Sequence, residues 1–275
     1  MVTSPNPVNY HQAIDCHRPD DRRLQPSRGG GLRTKKGEGV MHTNLQRTSL
    51  LVAIAVFGLA MPLGFFVFGK FIPPHLPSAS AAEIAAHYAA HTNSIRVGVL
   101  ICLLGTVPWY TIVGVLYAQL RRIERANGEP AFVSVIQVAS GGPFATCGMV
   151  IPFFMWATAA FRPDRDPDLI LLLNDLGWIS FVLPFTPFIA QNVAIAIGVL
   201  RDRQPRPLLP RWFGWLTLWV ILTGVAAFLI LFFKTGPFAW NGLIAFWIPL
   251  PLFWAYTLTM VVLLLKAFRR DDYPA

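Results

Sequence analysis

Six stretches of this chain are each long and apolar enough to cross a bilayer as a helix, and nothing else constrains the fold as much. A hydrocarbon core about 30 Å thick needs about 20 consecutive apolar residues in helical form. Such runs occupy about Thr48–Gly69, Ile95–Leu120, Ala131–Ala160, Leu169–Leu200, Phe213–Phe233 and Asn241–Leu265. In lipid every backbone N–H and C=O must be paired within the protein, so single apolar runs of this length cross as helices. The expectation is an all-α integral membrane protein: a bundle of six transmembrane helices over residues 48–268, with several helices kinked at proline. The third and fourth runs approach 30 residues, which predicts tilt, a kink or an end lying in the interface.

Charge agrees. Only 13% of the 275 residues are charged, against about 25% in a soluble domain. The charges that exist cluster between the apolar runs. This excludes a water-soluble enzyme, a disulfide scaffold and, despite a formal charge of +9, a nucleic-acid module. The charge instead reads as topology, because Lys and Arg are retained on the cytoplasmic side. Of the 23 Lys and Arg, 18 fall on one side: the N-terminal tail, Arg121–Arg125, Arg201–Arg211 and Lys266–Arg270. The other side holds five: Lys70, Arg96, Arg162, Arg165 and Lys234. Both termini are therefore expected in the cytoplasm, in a multi-pass plasma-membrane protein.

Residues 1–47 read as a disordered basic tail, too poor in large aliphatics to support a core, and 269–275 as a second cytoplasmic tail. Arg33, Lys35 and Lys36 could meet anionic lipid. Met41, just ahead of the first run, reads as a second start. The first run is followed by Ser78-Ala79-Ser80-Ala81-Ala82 and reads as an uncleaved anchor.

What could carry chemistry is sparse. No histidine lies inside a run, which removes a haem held between helices by two imidazoles and a His-Glu-x-x-His protease. Cys16, Cys102 and Cys147 show no metal-ligand spacing. No cofactor is implied, and an acid/base inventory without a membrane histidine argues against an enzyme.

The loop between runs one and two holds the clearest motif. Ser80-Ala81-Ala82-Glu83 fits a capping box and predicts a short external amphipathic helix, Ala79–His91. On it Glu83, His87 and His91 recur every four residues, along one stripe. Two readings stand: a metal or proton-sensing site, and a capped helix whose histidines face water. His75 could add a third imidazole.

A second set lies in the runs themselves. Asp175, beside Asn174, is an ionisable residue in an apolar segment, either seven residues into span four or at the interface. Prolines 62, 108, 143, 152, 184, 187, 249 and 251 interrupt the runs, and each frees a carbonyl that needs a new partner. Gly141-Gly142-Pro143 reads as a break in span three. Gln137, Gln191 and Asn192 can mend such breaks or face a ligand. The six candidates for a ligand cavity are Asp175, Gln191, Asn192, Gln137, Gly141 and Gly142, with the span-three to span-four contact as its place. Trp109, Trp156, Trp178 and Trp240 suggest an outer aromatic belt or packing in the upper part of the spans, and Trp212 and Trp215 an inner belt.

The Ala-rich helix Ala79–His91 leading into span two, the Arg121-Arg122 exit and Pro210-Arg211-Trp212-Phe213-Gly214-Trp215 ahead of span five together resemble uncharacterised bacterial six-span integral membrane proteins of a domain-of-unknown-function family. The resemblance covers about residues 45–270 and implies architecture without catalytic residues. The function expected is binding, or passive or secondary transport, of a small apolar or amphipathic molecule. The alternative is a non-catalytic accessory or sensor subunit. The partners implied are the lipid bilayer, a small-molecule ligand, and another membrane protein or a second copy.

Overall fold

The computed structural model describes the backbone of residues 30–270 and the side chains of residues 44–270. What the sequence suggests for residues 1–29 and 271–275, and for the side chains of Arg33, Lys35, Lys36 and Met41, lies outside the described residues. The chain divides into two units, Met1–Met41 and His42–Ala275, and the second carries all six spans. These run Asn44–Phe68, Ala81–Ala126, Val133–Phe161, Pro167–Leu200, Arg211–Leu231 and Leu243–Ala267. Every other boundary lies within four residues of the apolar pattern; span two extends well past it at both ends. No strand occurs among the described residues. The protein is a multi-pass, all-helical membrane protein.

Span two is helix α2, Ala81–Ala126, preceded in the chain by α1, Gly30–Pro62. Ser80 caps α2 as the capping-box motif requires: the Glu83 N–H donates to Ser80 Oγ, and Glu83 Oε2 accepts from the Ser80 N–H at 2.8 Å. The 46 residues of α2 measure roughly 69 Å at 1.5 Å each, more than twice a bilayer core. The external helix of the sequence pattern is the first part of α2, set off by non-helical backbone at His91 (φ −119°, ψ 17°).

The other spans are irregular. Span one ends in a π-turn, Leu63–Phe68. Span three consists of α3 (Val133–Ala145), a π-turn (Thr146–Val150) and α4 (Ile151–Phe161). Span four is α5 (Pro167–Val182) and α6 (Phe185–Leu200), parted at Leu183–Pro184. Span five is α7 (Arg211–Val225), tightening to a 3-10 turn, Ala226–Leu231. Span six opens with a π-turn, Leu243–Trp247, before α8 (Pro249–Ala267). The two long runs are thus accommodated by a widened turn and by a break.

Two of the breaks differ from the sequence expectation. Helix α3 runs through Gly141-Gly142-Pro143 and loosens one turn later. In span four the break falls at Pro184, while Pro187 sits in the first turn of α6. A first-turn N–H has no helical acceptor, so proline there removes no bond.

Spans one and two cross on glycine. A Cβ at Gly98 would lie 2.6 Å from the Gly64 carbonyl oxygen and still closer to the Gly69 nitrogen. A Cβ at Gly105 would meet the Cβ of Ala60 at 2.7 Å. Small residues let two backbones touch where no side chain could fit between them.

The arginine-rich end is closed by polar bonds. Buried Glu124 accepts from the Phe132 and Ser134 N–H groups at 2.9 and 3.1 Å, and from Ser134 Oγ at 2.5 Å. Arg201 and Arg203 pair with Glu129 at 2.9 and 3.5 Å. Arg270 donates to the carbonyls of Pro207 and Arg206. At the opposite end Arg96 donates to the Ala160 and Phe161 carbonyls at 3.1 and 3.0 Å, covering the open C-terminus of α4.

Candidate functional site

At the N-terminal end of α2 three imidazoles stand in a row. The ring centroids of His75 and His87 are 4.4 Å apart, and those of His87 and His91 are 4.8 Å apart. The i,i+4 spacing explains the second contact. The first is tertiary: the 69–80 loop folds back over α2 and lays His75 against it. His75 Nδ1 lies 2.8 Å from Asn174 Oδ1, an acceptor, so this nitrogen carries the proton and donates. The Tyr88 hydroxyl donates to the same oxygen at 3.4 Å, and Asn174 Nδ2 donates to Asp175 Oδ1 at 3.4 Å. The Trp240 indole N–H donates to the His75 carbonyl at 2.7 Å. His75 therefore ties α2, α5 and the 232–242 loop together.

The Nε2 atoms of His75 and His87 are buried without a hydrogen-bond partner. Burial holds the His75 imidazole below its ordinary pKa, against the opposing effect of the Asn174 bond. Glu83 is not part of this row: its carboxylate is spent on the Ser80 cap. Among the described residues, no three His, Cys, Asp or Glu side chains are grouped to hold a metal ion. The stripe of Glu83, His87 and His91 is present on the helix, and His75 is what the fold adds to it.

The six cavity candidates fall in different surroundings. Asp175 belongs with Asn174 in the histidine cluster. Gln191 packs over Gly141, where an added Cβ would lie 2.8 Å from its Nε2; the missing side chain is what admits the amide, at the expected span-three to span-four contact. Gln137, one turn before Gly141, is fully buried with neither amide atom bonded. Gly142 has only Tyr110 Cε1 near it, at 4.0 Å. Asn192 is a strut: Nδ2 donates to the Phe188 carbonyl at 2.8 Å, and Oδ1 accepts from the Tyr256 hydroxyl at 2.8 Å. Tyr256 also meets Thr217 Oγ1 at 3.2 Å, joining spans four, five and six. The carbonyl that Asn192 bonds lies one turn back within α6 and is not one that Pro184 or Pro187 frees.

Two cavities do lie within the spans, and both are apolar. The first, about 120 Å³, is lined by residues of spans three to six, among them Phe144, Gly148, Pro184, Val220, Ala245 and Phe253. The second, about 70 Å³, lies against span one at Phe57, Met61 and Phe65. Neither is lined by any of the six candidates. Their walls are drawn from the irregular stretches: Gly148 from the π-turn of span three, Pro184 from the break in span four, Pro249 beside the π-turn of span six. A widened or broken turn displaces side chains that would otherwise fill the space. Sequence reading assigned polar residues to the cavity, whereas the cavity is bounded by phenylalanines, whose pattern does not differ from that of a packed core.

No family model, curated protein or solved structure matches this chain.

Proposed function

We propose that this protein binds a small apolar molecule in the first cavity and passes it by passive or secondary transport, in the plasma membrane, with its arginine-rich end and both termini in the cytoplasm. The observation that carries the reading is the apolar cavity itself, among four spans of which three lose regular helix at residues that line it. Proline-broken helices around a mid-membrane space are how transporters build sites. Here the lining holds one hydroxyl side chain, Thr223, and that donates to the Val220 carbonyl at 2.8 Å. A ligand rich in polar groups would find no partners. The orientation rests on the distribution of Lys and Arg.

Thermal melting of the purified protein with toluene tests the binding step. Toluene should raise the melting temperature, and Ala245→Phe, which fills the cavity, should abolish that rise. A rise that persists in the variant counts against this cavity. For orientation, Lys70→Cys should react with an impermeant thiol reagent outside intact cells and Arg203→Cys should not, in a background lacking Cys16, Cys102 and Cys147.

The buried, unbonded Nε2 atoms of His75 and His87 favour a second reading, an accessory or sensor subunit responding to external pH. A double His87→Ala, His91→Ala variant should then lose its pH response while still inserting, since alanine is the better helix former.

A further inference from the structure

We propose that the two cavities are halves of one site for a fatty acyl chain of a lipid, with Met149 as the partition between them. This rests on the apolar-ligand reading above and says which kind of molecule the site takes.

The two cavities share Met149, Phe181, Leu250 and Phe253 in their walls. They therefore abut, separated by the thickness of these side chains. From this partition one half extends to Val220 and Thr223 of span five, the other to Phe57 and Met61 of span one. Joined, they make a passage from one flank of the bundle to another. At its rims Thr223 and Phe185 on one side are half-buried, and Phe66 on the other is 39% exposed. Both rims therefore open where lipid tails lie.

Three properties of the passage select the occupant. Its halves, of about 120 and 70 Å³, are too small for a helix of a partner or of a second copy. It is apolar from end to end, so a headgroup cannot enter and only the hydrocarbon part of a lipid can. Methionine forms part of the partition: an unbranched side chain with three rotatable bonds moves aside at little cost, which its partition neighbours Phe181, Leu250 and Phe253 do not. The widened turn Thr146–Val150 carries Met149.

The test uses the full-length protein in nanodiscs and palmitate bearing a mid-chain diazirine, with crosslinks mapped by peptide mass spectrometry. Phe57 and Met61 on one side and Val220 and Ala245 on the other are buried, so bulk lipid does not reach them. Crosslinks at both pairs, competed by unlabelled palmitate, are the expected result. Met149→Trp should lose those at Phe57 and Met61 and keep those at Val220 and Ala245; Met149→Ala should strengthen the former. Met149→Trp should elute as a single species with the parent's helical circular dichroism, which shows that the variant is folded. Crosslinks confined to one pair, or unaffected by Met149→Trp, would overturn the acyl-chain site. With toluene still stabilising, that failure leaves the small-ligand reading standing; loss of both sinks both.

Discussion

Gly98 offers the sharpest test of how the bundle is held. It lies where span two crosses the end of span one, and the atoms nearest its missing Cβ are backbone: the Gly64 carbonyl oxygen at 2.6 Å, and the nitrogen and Cα of Gly69. A side-chain clash can be relieved by a rotamer change, but this one requires that two helices move apart. Overpacking typically costs about 1–3 kcal/mol, and with backbone on both sides Gly98→Ala belongs at the upper end. Alanine's better helix propensity returns roughly 1 kcal/mol, leaving a net loss of about 1–2 kcal/mol. At roughly 2–4 °C per kcal/mol for a domain of this size, melting in detergent should fall by about 2–8 °C. Gly114 is the control, in the same helix with nothing within 4 Å of its missing Cβ. Gly114→Ala should leave melting unchanged or raise it slightly. If Gly98→Ala melts with the parent, or both variants fall alike, the close crossing is not what binds spans one and two.

Tyr256→Phe removes the hydroxyl that satisfies Asn192 Oδ1 and leaves a buried acceptor unpaired; it should cost about 1–3 kcal/mol, and Asn192→Leu combined with it should cost less than the sum of the two single changes. Glu124→Ala strips the acceptor from two backbone N–H groups and Ser134, and should lower folded yield more than Glu129→Ala, whose pairs with Arg201 and Arg203 lie nearer the surface. His75 is held neutral by burial, so its folded pKa lies below its unfolded value. The unfolded chain then binds the extra proton first, and stability present above pH 6.5 falls as the pH drops toward the folded value. Melting scans from pH 7.5 to 5 should show this slope, and His75→Gln should reduce it.

The parts of this structure that could be read from sequence are those set by neighbours along the chain. Apolar run length placed all six spans, and Ser80 with Glu83 announced the start of α2, since a cap needs only residues three apart. Excess length in spans three and four signalled irregularity but not its position. Proline removes a bond only where the position requires one, so Pro187 is silent in a first turn and Pro184 breaks the chain. The histidine cluster was half visible. His87 and His91 follow from helical period, whereas His75 and Asn174 are 99 residues apart and no periodicity links them. The cavity was assigned to polar residues because burial of an amide is costly and attracts notice. Its actual lining is phenylalanine and proline, and whether such residues fill space or leave it empty depends on how the helices meet.

Span two is one α-helix, Ala81–Ala126, with Pro108 as the position within the span that donates no backbone hydrogen bond. Spans one, three, four and six each contain a π-turn or a break that supplies cavity wall, at Phe65, Gly148, Pro184 and Ala245. Below them Asn192, Tyr256 and Thr217 lace three spans together, and Glu124 fastens the end of α2 to the start of α3. Bending stiffness in a helix comes from its uninterrupted ladder, so these spans are weakest at the level of the cavities, and bending of one half of the bundle against the other has its natural pivot there.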